Sequence, residues 1–478
     1  MNFNRQSKWG PWLMSVTTAL GAMAALQGSA AAEARRPNII VIVGDDMGYA
    51  DLGVHGCRDI ATPHLDALAQ SGVRCSQGYV SGPYCSPTRA GLLTGRYQQR
   101  FGHEFNPGAA TASTTEVGLP LSERTLADYL KQAGYRTALV GKWHLGNGDK
   151  FHPQSRGFEE YFGFLGGAHP YLPAAGATRR QNSILRGRDV VEEREYLTDA
   201  LAREAVDYLA RHHQEPYFLY LAFNAVHTPL QATDKYLERC ATIADPRRRS
   251  YAAMMMALDD AVGRVRAKIQ ELQQEEQTLI FFFSDNGGPP ANASNNGVLR
   301  GHKATTWEGG VRVPFFVSWK GRIPAGQTYD QPIIQLDVLP TALAAAGVAV
   351  PESAKLDGVN LLPYLTGEKM GPPHERLYWR FGPQWAIRSG DWKLVRANGA
   401  ETPLLIHLAQ DVGESRDRSA DEPARREQLA AAWQAWNQEL VDPLWRANRA
   451  AGQRGQAAKG AGAGKAKGKN KKKAAAMQ

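Results

Sequence analysis

Asn38 to Val43 (NIIVIV) is an unbroken run dominated by β-branched residues, and it stops at Gly44-Asp45-Asp46. A strand with one wet face alternates apolar and polar side chains. An unbroken run must instead be covered on both faces, which is the situation of a strand inside a parallel sheet flanked by helices. Leu279 to Phe283 repeats the pattern and stops at Ser284-Asp285-Asn286-Gly287. Arg136 to Val140, ahead of Gly141-Lys142-Trp143-His144, and Tyr217 to Phe223, ahead of His227, read as two more strands. Helical patterns lie between them: one opening at Thr62-Pro63, with Thr62 as N-cap and Pro63 in the first turn, then Leu126–Gln132, Tyr196–Arg211 and Tyr251–Gln274. This alternation predicts an α/β fold layered around a large, mostly parallel sheet. Polar residues recur at the C-terminal ends of the buried strands, where open α/β sheets bind ligands. Four such ends predict one active site.

The chain has 478 residues, enough for a large domain and a smaller one. The character changes near Gly367. Trp385 to Arg396 reads as a hairpin turning at Ser389-Gly390-Asp391, and Arg425 to Leu440 as an amphipathic helix. The expected organisation is a catalytic domain over residues 33–366 and a small α+β subdomain over 367–451. No internal repeat is visible. Residues 452–478 are Gly/Ala/Lys low complexity, expected to be disordered. The net charge of +9 is concentrated at the termini: Arg454 to Gln478 holds eight basic residues and no acid, and Arg5 and Lys8 stand at the start. The body is close to neutral, which argues against a nucleic-acid-binding surface. Residues 1–32 read as a signal peptide, with Arg5 and Lys8, an apolar stretch from Trp12 to Leu26, and Ala30-Ala31-Ala32 before Glu33. That stretch is shorter than the roughly 20 residues a membrane span needs, so the expectation is an exported protein, periplasmic or secreted. Of the four cysteines, Cys57 and Cys75 either form a bridge or stay as buried thiols.

Asp45 and Asp46 are adjacent carboxylates that repel unless a cation separates them. Asp285 and Asn286 offer the same oxygen chemistry on a second strand end, and hard divalent cations prefer such donors. Either pair alone is as readily a turn or a helix cap; two pairs, each after a buried strand, favour a metal. Cys85 lies in Tyr84-Cys85-Ser86-Pro87-Thr88-Arg89-Ala90-Gly91-Leu92-Leu93-Thr94-Gly95-Arg96. Pro87 marks a helix start, which predicts Cys85 just before a helix N-terminus, where an anion is favoured and a thiol pKa lowered.

This segment resembles the signature of the type I sulfatase family, C-x-P-S/T-R followed by an apolar pair and T-G, with Tyr84 where the family more often has an aliphatic residue. Gly134 to His144 resembles a second signature. Asp45-Asp46, His227 in Asn224-Ala225-Val226-His227-Thr228-Pro229, Ser284-Asp285-Asn286-Gly287, Gly301-His302-Lys303 and Thr306 to Pro314 follow in the family's order. The likeness runs from about Asn38 to Leu440. It implies the alkaline-phosphatase-like α/β sandwich with a smaller C-terminal subdomain. It implies that Cys85 is oxidised to formylglycine by a formylglycine-generating enzyme. It also implies one calcium, in preference to magnesium, held by Asp45, Asp46, Asp285, Asn286 and the modified residue at 85. Arg89 and Lys142 would hold the formylglycine, and Lys142 and Lys303 the sulfate oxygens. His227 would face the leaving oxygen, and His144 the formylglycine hydroxyl.

The implied activity is hydrolysis of sulfate monoesters, on a sulfated small molecule or oligosaccharide. A phosphonate monoester or phosphodiester hydrolase of the same superfamily is the first alternative, and a non-catalytic binder of sulfated glycans the second. His103, His169, His302, Trp307, Trp385 and Arg388 could line a substrate pocket, but structural roles are the stronger expectation for them.

Overall fold

The computed structural model describes residues 36–107, 116–173, 183–397 and 400–446, with residues 1, 2 and 6. The signal-peptide region, apart from those three positions, and the basic tail lie outside the described residues.

The four strands expected from the sequence are β1 (Asn38–Gly44), β4 (Arg136–Lys142), β8 (Tyr217–Ala222) and β9 (Thr278–Ser284). They are adjacent and parallel, in the order β9-β1-β8-β4. Beyond β4 the sheet continues through β5 (Glu160–Phe164), β6 (Ile184–Arg186) and β7 (Asp189–Val191). Beyond β9 it continues through β10 (Phe315–Ser318), β2 (Val73–Cys75) and β11 (Gln327–Tyr329), giving ten strands. β10 runs antiparallel to both its neighbours, as do β6 and β7 at the other edge. A separate parallel pair joins β3 (Gly78–Tyr79) to β12 (Ile333–Ile334).

β1 shows why the run had to be continuous. Ile40 and Ile42 point into one core, with Leu65, Leu201, Tyr251 and Val265 from the helices on that face. Ile39, Val41 and Val43 point into a second core, with Leu92, Leu130 and Leu339 from helices on the opposite face. Each such side chain contributes about 1.5–3 kcal/mol when fully buried, so a polar residue on either face would be costly.

The long helix is Pro246–Glu271, five residues longer at its start than the sequence reading. Arg247-Arg248-Arg249 interrupts the apolar pattern, but Asp245 caps the helix by accepting from the Arg247 and Arg248 amides, and Pro246 occupies the first position. The C-terminal sheet is antiparallel: β13 (Arg376–Phe381), β14 (Gln384–Ser389), β15 (Trp392–Arg396) and β16 (Leu404–His407), in that order. Ser389 pairs with Trp392, leaving Gly390-Asp391 as the expected tight turn. The Pro423–Gln438 helix covers this sheet, with Trp433 stacked on Trp385 at 4.5 Å. Trp379 Nε1 of β13 donates to the Val80 carbonyl at 2.7 Å and ties the small sheet to the large body. All four cysteines are free, so no bridge joins Cys57 and Cys75. Among the described residues no helix is long and apolar enough to cross a membrane.

Asp337 fastens the approach to β13. It accepts from the Ile334 and Val359 amides, and His374 Nε2 lies 2.7 Å from its Oδ1. Burial alone would lower the His374 pKa, but Asp337 outweighs it and the net shift is upward. A histidine raised in the folded state adds stability below its unfolded pKa of about 6.5 and loses it as pH rises through the folded value. His374→Gln is therefore expected to lower Tm more at about pH 6 than at about pH 9. Calorimetry at the two pH values tests this; an equal deficit at both would remove the charge from the account.

Candidate active site

Register brings the site together. Gly141, Ala222, Val43 and Phe283 form one row across four strands. Lys142, Gly44 and Ser284 follow in the next row, so Asp45 and Asp285 leave the sheet side by side. Gly141, at φ +116°, permits this packing, since a Cβ there would lie 1.9 Å from the Ala222 carbonyl oxygen.

Cys85 is the first residue of the Cys85–Thr94 helix, whose N-cap is Tyr84, rather than the residue before the helix. Pro87 fits because the first helical amides need no intrahelical acceptor. Cys85 Sγ lies 3.1 Å from Lys303 Nζ and 3.6 Å from Asp45 Oδ1. The expectation of a lowered thiol pKa is corrected. Burial pushes it up to about 12, and Lys142 and Lys303 offset only part of that. The unmodified thiol is thus a poor nucleophile near neutral pH.

Around Cys85 three carboxylates face three cations. Lys142 Nζ pairs with Asp45 Oδ2, both fully buried. Arg89 donates through Nε and Nη2 to Asp285 Oδ2 at 3.1 and 2.8 Å, and its Nη2 lies 3.7 Å from Asp45 Oδ2. Lys303 Nζ lies 2.5 Å from Asp46 Oδ1, which also accepts from Asn286 Nδ2 at 2.7 Å. Burial raises the Asp45 pKa, but Lys142, His227, Arg89 and Lys303 overcome it and hold Asp45 below the ordinary range. Asp285 is pushed up to about 6, first by burial and then by Asp45. One oxygen each of Asp45, Asp46 and Asp285 and the Cys85 sulfur lie within 4.8 Å of one another. Asn286 Oδ1 is buried beside them with no hydrogen-bond partner. A carbonyl oxygen left bare among carboxylates suits a hard divalent cation.

The two histidines follow neighbouring parallel strands, His144 after β4 and His227 after β8. His227 Nδ1 donates to the Thr228 carbonyl at 2.6 Å, leaving Nε2 to face Asp46 Oδ2 at 3.6 Å. His144 takes a left-handed backbone, φ +58°, as does Asp46 at +63°. The His144 amide donates to Leu165 O, its carbonyl accepts from Ser86 Oγ at 2.7 Å, and its buried Nδ1 has no partner. Burial lowers both imidazole pKa values; Lys142 lowers His144 further, while Asp46 opposes the shift at His227.

Every residue the sequence singled out for catalysis or metal binding is at this one place. The six set aside divide. His103 Nε2 pairs with Ser86 Oγ at 2.6 Å. Trp307 lies under the Arg300 guanidinium, Trp385 packs on Trp433, and Arg388 donates to Tyr79 and Gln77. His169 is half-buried and His302 exposed, each with Nδ1 on a neighbouring carbonyl. The sequence reading missed Asn106, which accepts from the Ser86 amide, and Asn292, which donates to the carbonyls of Asp46 and Val226. Asn106 lies in a loop and Asn292 ends a single 3-10 turn, so no periodicity marks either.

The sulfatase family profile matches residues 37–348, and the profile of the N-sulphoglucosamine sulphohydrolase C-terminal region matches residues 302–428. The mouse N-acetylgalactosamine-6-sulfatase is 34% identical over 457 residues, covering 84% of each chain. The crystal structure of Ps i-CgsB in complex with k-i-k-neocarrahexaose superposes with a TM-score of 0.83 at 36% identity, over 87% of this chain and 96% of that one. A phosphonate monoester hydrolase of Agrobacterium radiobacter, at 20% identity and a TM-score of 0.62 over 85% of this chain and 96% of that one, shares the alkaline-phosphatase-like fold. The match over most of the chain, together with the site built at the four strand ends, shows that this chain belongs to the type I sulfatase family and is a sulfuric ester hydrolase.

Proposed function

We propose that the chain is an exported sulfatase that hydrolyses sulfate monoesters of carbohydrates, using formylglycine made from Cys85 and one bound calcium ion. The observation that carries this reading is the setting of Cys85 Sγ, 3.1 Å from Lys303 Nζ and enclosed by three buried carboxylates, three cations and the bare Asn286 oxygen. Export rests on the signal-like first 32 residues, and maturation on a formylglycine-generating enzyme that reads Cys85-Ser86-Pro87-Thr88-Arg89. A carbohydrate substrate is supported by relatives named as sulfatases of N-acetylgalactosamine and by one solved with a neocarrahexaose.

Asp45, Asp46, Asp285 and Asn286, with residue 85, would hold the cation. The protein's own formal charges here cancel, so a divalent cation would supply the positive surplus that binds an anionic ester and offsets charge developing on its oxygens. Formylglycine would supply, as its hydrate, a hydroxyl nucleophile where the thiol stays protonated, and a second hydroxyl whose loss of a proton frees the sulfate. Arg89 and Lys142 orient the group at position 85, and Lys142 and Lys303 hold the sulfate oxygens. His227, its Nδ1 tied to Thr228, presents Nε2 to the leaving oxygen and protonates it as the imidazolium, the form that Asp46 favours against burial. Lys303 is the weaker acid: although burial opposes it, Asp46 holds its pKa well above the ordinary lysine value. His144, kept neutral by burial and by Lys142, takes the proton from the hydroxyl at position 85.

When co-produced with a modifying enzyme, the peptide carrying Cys85 is expected to lose mass and react with hydrazides. Cys85→Ala is expected to keep its fold and lose turnover of aryl sulfates. An active preparation containing only unmodified cysteine would refute the mechanism, and a preference for aryl phosphonates over aryl sulfates would refute the substrate class.

Thorough chelation is expected to abolish activity and lower Tm, with calcium restoring both, because the cation screens three clustered carboxylates. Elemental analysis should find one calcium per chain; full activity after chelation would exclude the metal.

His227→Ala and His144→Ala are each expected to slow turnover about 10²–10⁴-fold. With His144→Ala an aryl sulfate should release about one equivalent of phenol in a burst before a slow steady state, since only the second half-reaction is blocked. With His227→Ala no burst should appear, and the defect should shrink as the leaving-group pKa falls. A burst in the His227 variant alone would reverse the two roles.

A further inference from the structure

Lys303 reaches Cys85 on a loop that lies between β9 and β10 and has little regular structure. The residues around Lys303 are held largely from the C-terminal subdomain, by Gln384 of β14 and by Glu414 in a turn after β16. Arg300 Nη1 donates to the Glu414 carbonyl at 2.6 Å, and Gln384 Nε2 of β14 donates to the Ala304 carbonyl at 2.9 Å. The Glu308 amide donates to Glu414 Oε2 at 2.7 Å. Lys393 of β15, fully buried, sits 2.9 Å from Glu308 Oε1 and 2.8 Å from Glu414 Oε1. Tyr79 Oη donates to the other Glu308 oxygen at 2.6 Å, and Arg388 of β14 donates to Tyr79.

From this cluster the contacts lead straight back to the site. The Gly309 amide donates to the Arg300 carbonyl at 2.7 Å, and the Ala304 amide donates to the Pro83 carbonyl at 2.8 Å, two residues before Cys85. Gly287, next to Asn286, packs so closely on this loop that a Cβ would lie 1.8 Å from the Gly309 carbonyl oxygen.

The charges in the cluster are uneven. Burial would raise Glu308, but Lys393, Arg312 and Arg388 overcome it and hold it down to about 2. Glu414 is pushed up to about 7, by burial and then by Glu308, although Lys393 opposes both. A buried group of ions is an inefficient way to join two sheets, because well-packed apolar side chains serve as well or better. What ions and directed hydrogen bonds add is a single satisfied geometry. Here that geometry fixes Arg300, Ala304 and Glu308, on both sides of Lys303.

We propose that Glu414 and Lys393 are positioning residues that hold Lys303 against position 85, so that the C-terminal sheet is part of the catalytic apparatus. This rests on the reading of Lys303 as a sulfate-binding group.

The test is a double-mutant cycle on the matured, metal-bound enzyme with an aryl sulfate. Glu414→Ala is expected to lower kcat/KM about 10- to 100-fold, the scale of a displacement of about 1 Å. Glu414→Gln, which keeps an acceptor for the Glu308 amide, should recover most of that loss. In a Lys303→Ala background Glu414→Ala should cost less than about twofold more, because coupled residues are not additive. Equal losses in both backgrounds would make Glu414 merely structural and overturn the proposal. Should Glu414→Ala fail to fold, Lys393→Met enters the same cycle under the same criterion. A Lys303→Ala enzyme as fast as the parent would overturn the role of Lys303 and this inference with it. A slow Lys303→Ala enzyme with additive losses would overturn this inference alone.

Discussion

Three carboxylates and three cations buried at one sheet edge set the terms for the rest of this molecule. Removing such ions from water is costly unless each meets a partner in good geometry. Arg89 shows how demanding that is. It is fully buried, and its guanidinium has to reach Asp285, Asp45 and the Lys142 carbonyl from inside the Cys85–Thr94 helix. That fixes the helix against β4 and β9, and with it the position of Cys85. The helix is buried throughout, so its sequence must carry the signature and fill the second core at once; Ala90, Leu92 and Leu93 do the filling.

The carboxylates and the cations are supported differently. Asp45 and Asp285 follow directly from paired strands, so the backbone ladder places them. Asp46 and His144 each sit two residues past their strand, at positive φ, a conformation costing L-residues roughly 1–2 kcal/mol. Neighbours hold both in place. The Asp46 amide donates to Asp285 Oδ1 and its carbonyl accepts from Asn292, while His144 is pinned between Leu165 and Ser86. Strain held by surrounding contacts at the site is what pre-organised chemistry requires.

Much of this was legible in the sequence because two signals are local. Continuous apolar runs such as NIIVIV identify the central parallel strands, and the polar residues after them identify the site. The parts that could not be read are those set by partners distant in sequence. The thiol of Cys85 depends on how deeply the helix is buried and on carboxylates 40 and more positions away, so a local argument from the helix N-terminus gave the wrong direction. The start of the Pro246–Glu271 helix was hidden by three arginines that look like loop, although Arg248 reaches back to Asp51 and Asp59. Glu414 carries no motif at all. It lies in a turn at positive φ, and only the fold shows that it faces Lys393 and the Glu308 amide.

That last case follows from how loops differ from strands. A loop has no ladder to fix its backbone, so a loop that must deliver a charge to within about 3 Å of a reacting atom needs anchors of its own. The loop after β9 illustrates this along its length. Asn296 exchanges hydrogen bonds with Gly288, and the Asn295 amide donates to buried Asp51, which accepts in turn from Tyr251. Arg300, Ala304 and Glu308 are then taken up by the C-terminal subdomain, through Glu414 in a turn after β16 and Gln384 of β14. Anchors of this density are wasted on a loop that merely connects two strands. They hold one segment in a fixed place, and the residue they surround is Lys303, 3.1 Å from Cys85 Sγ.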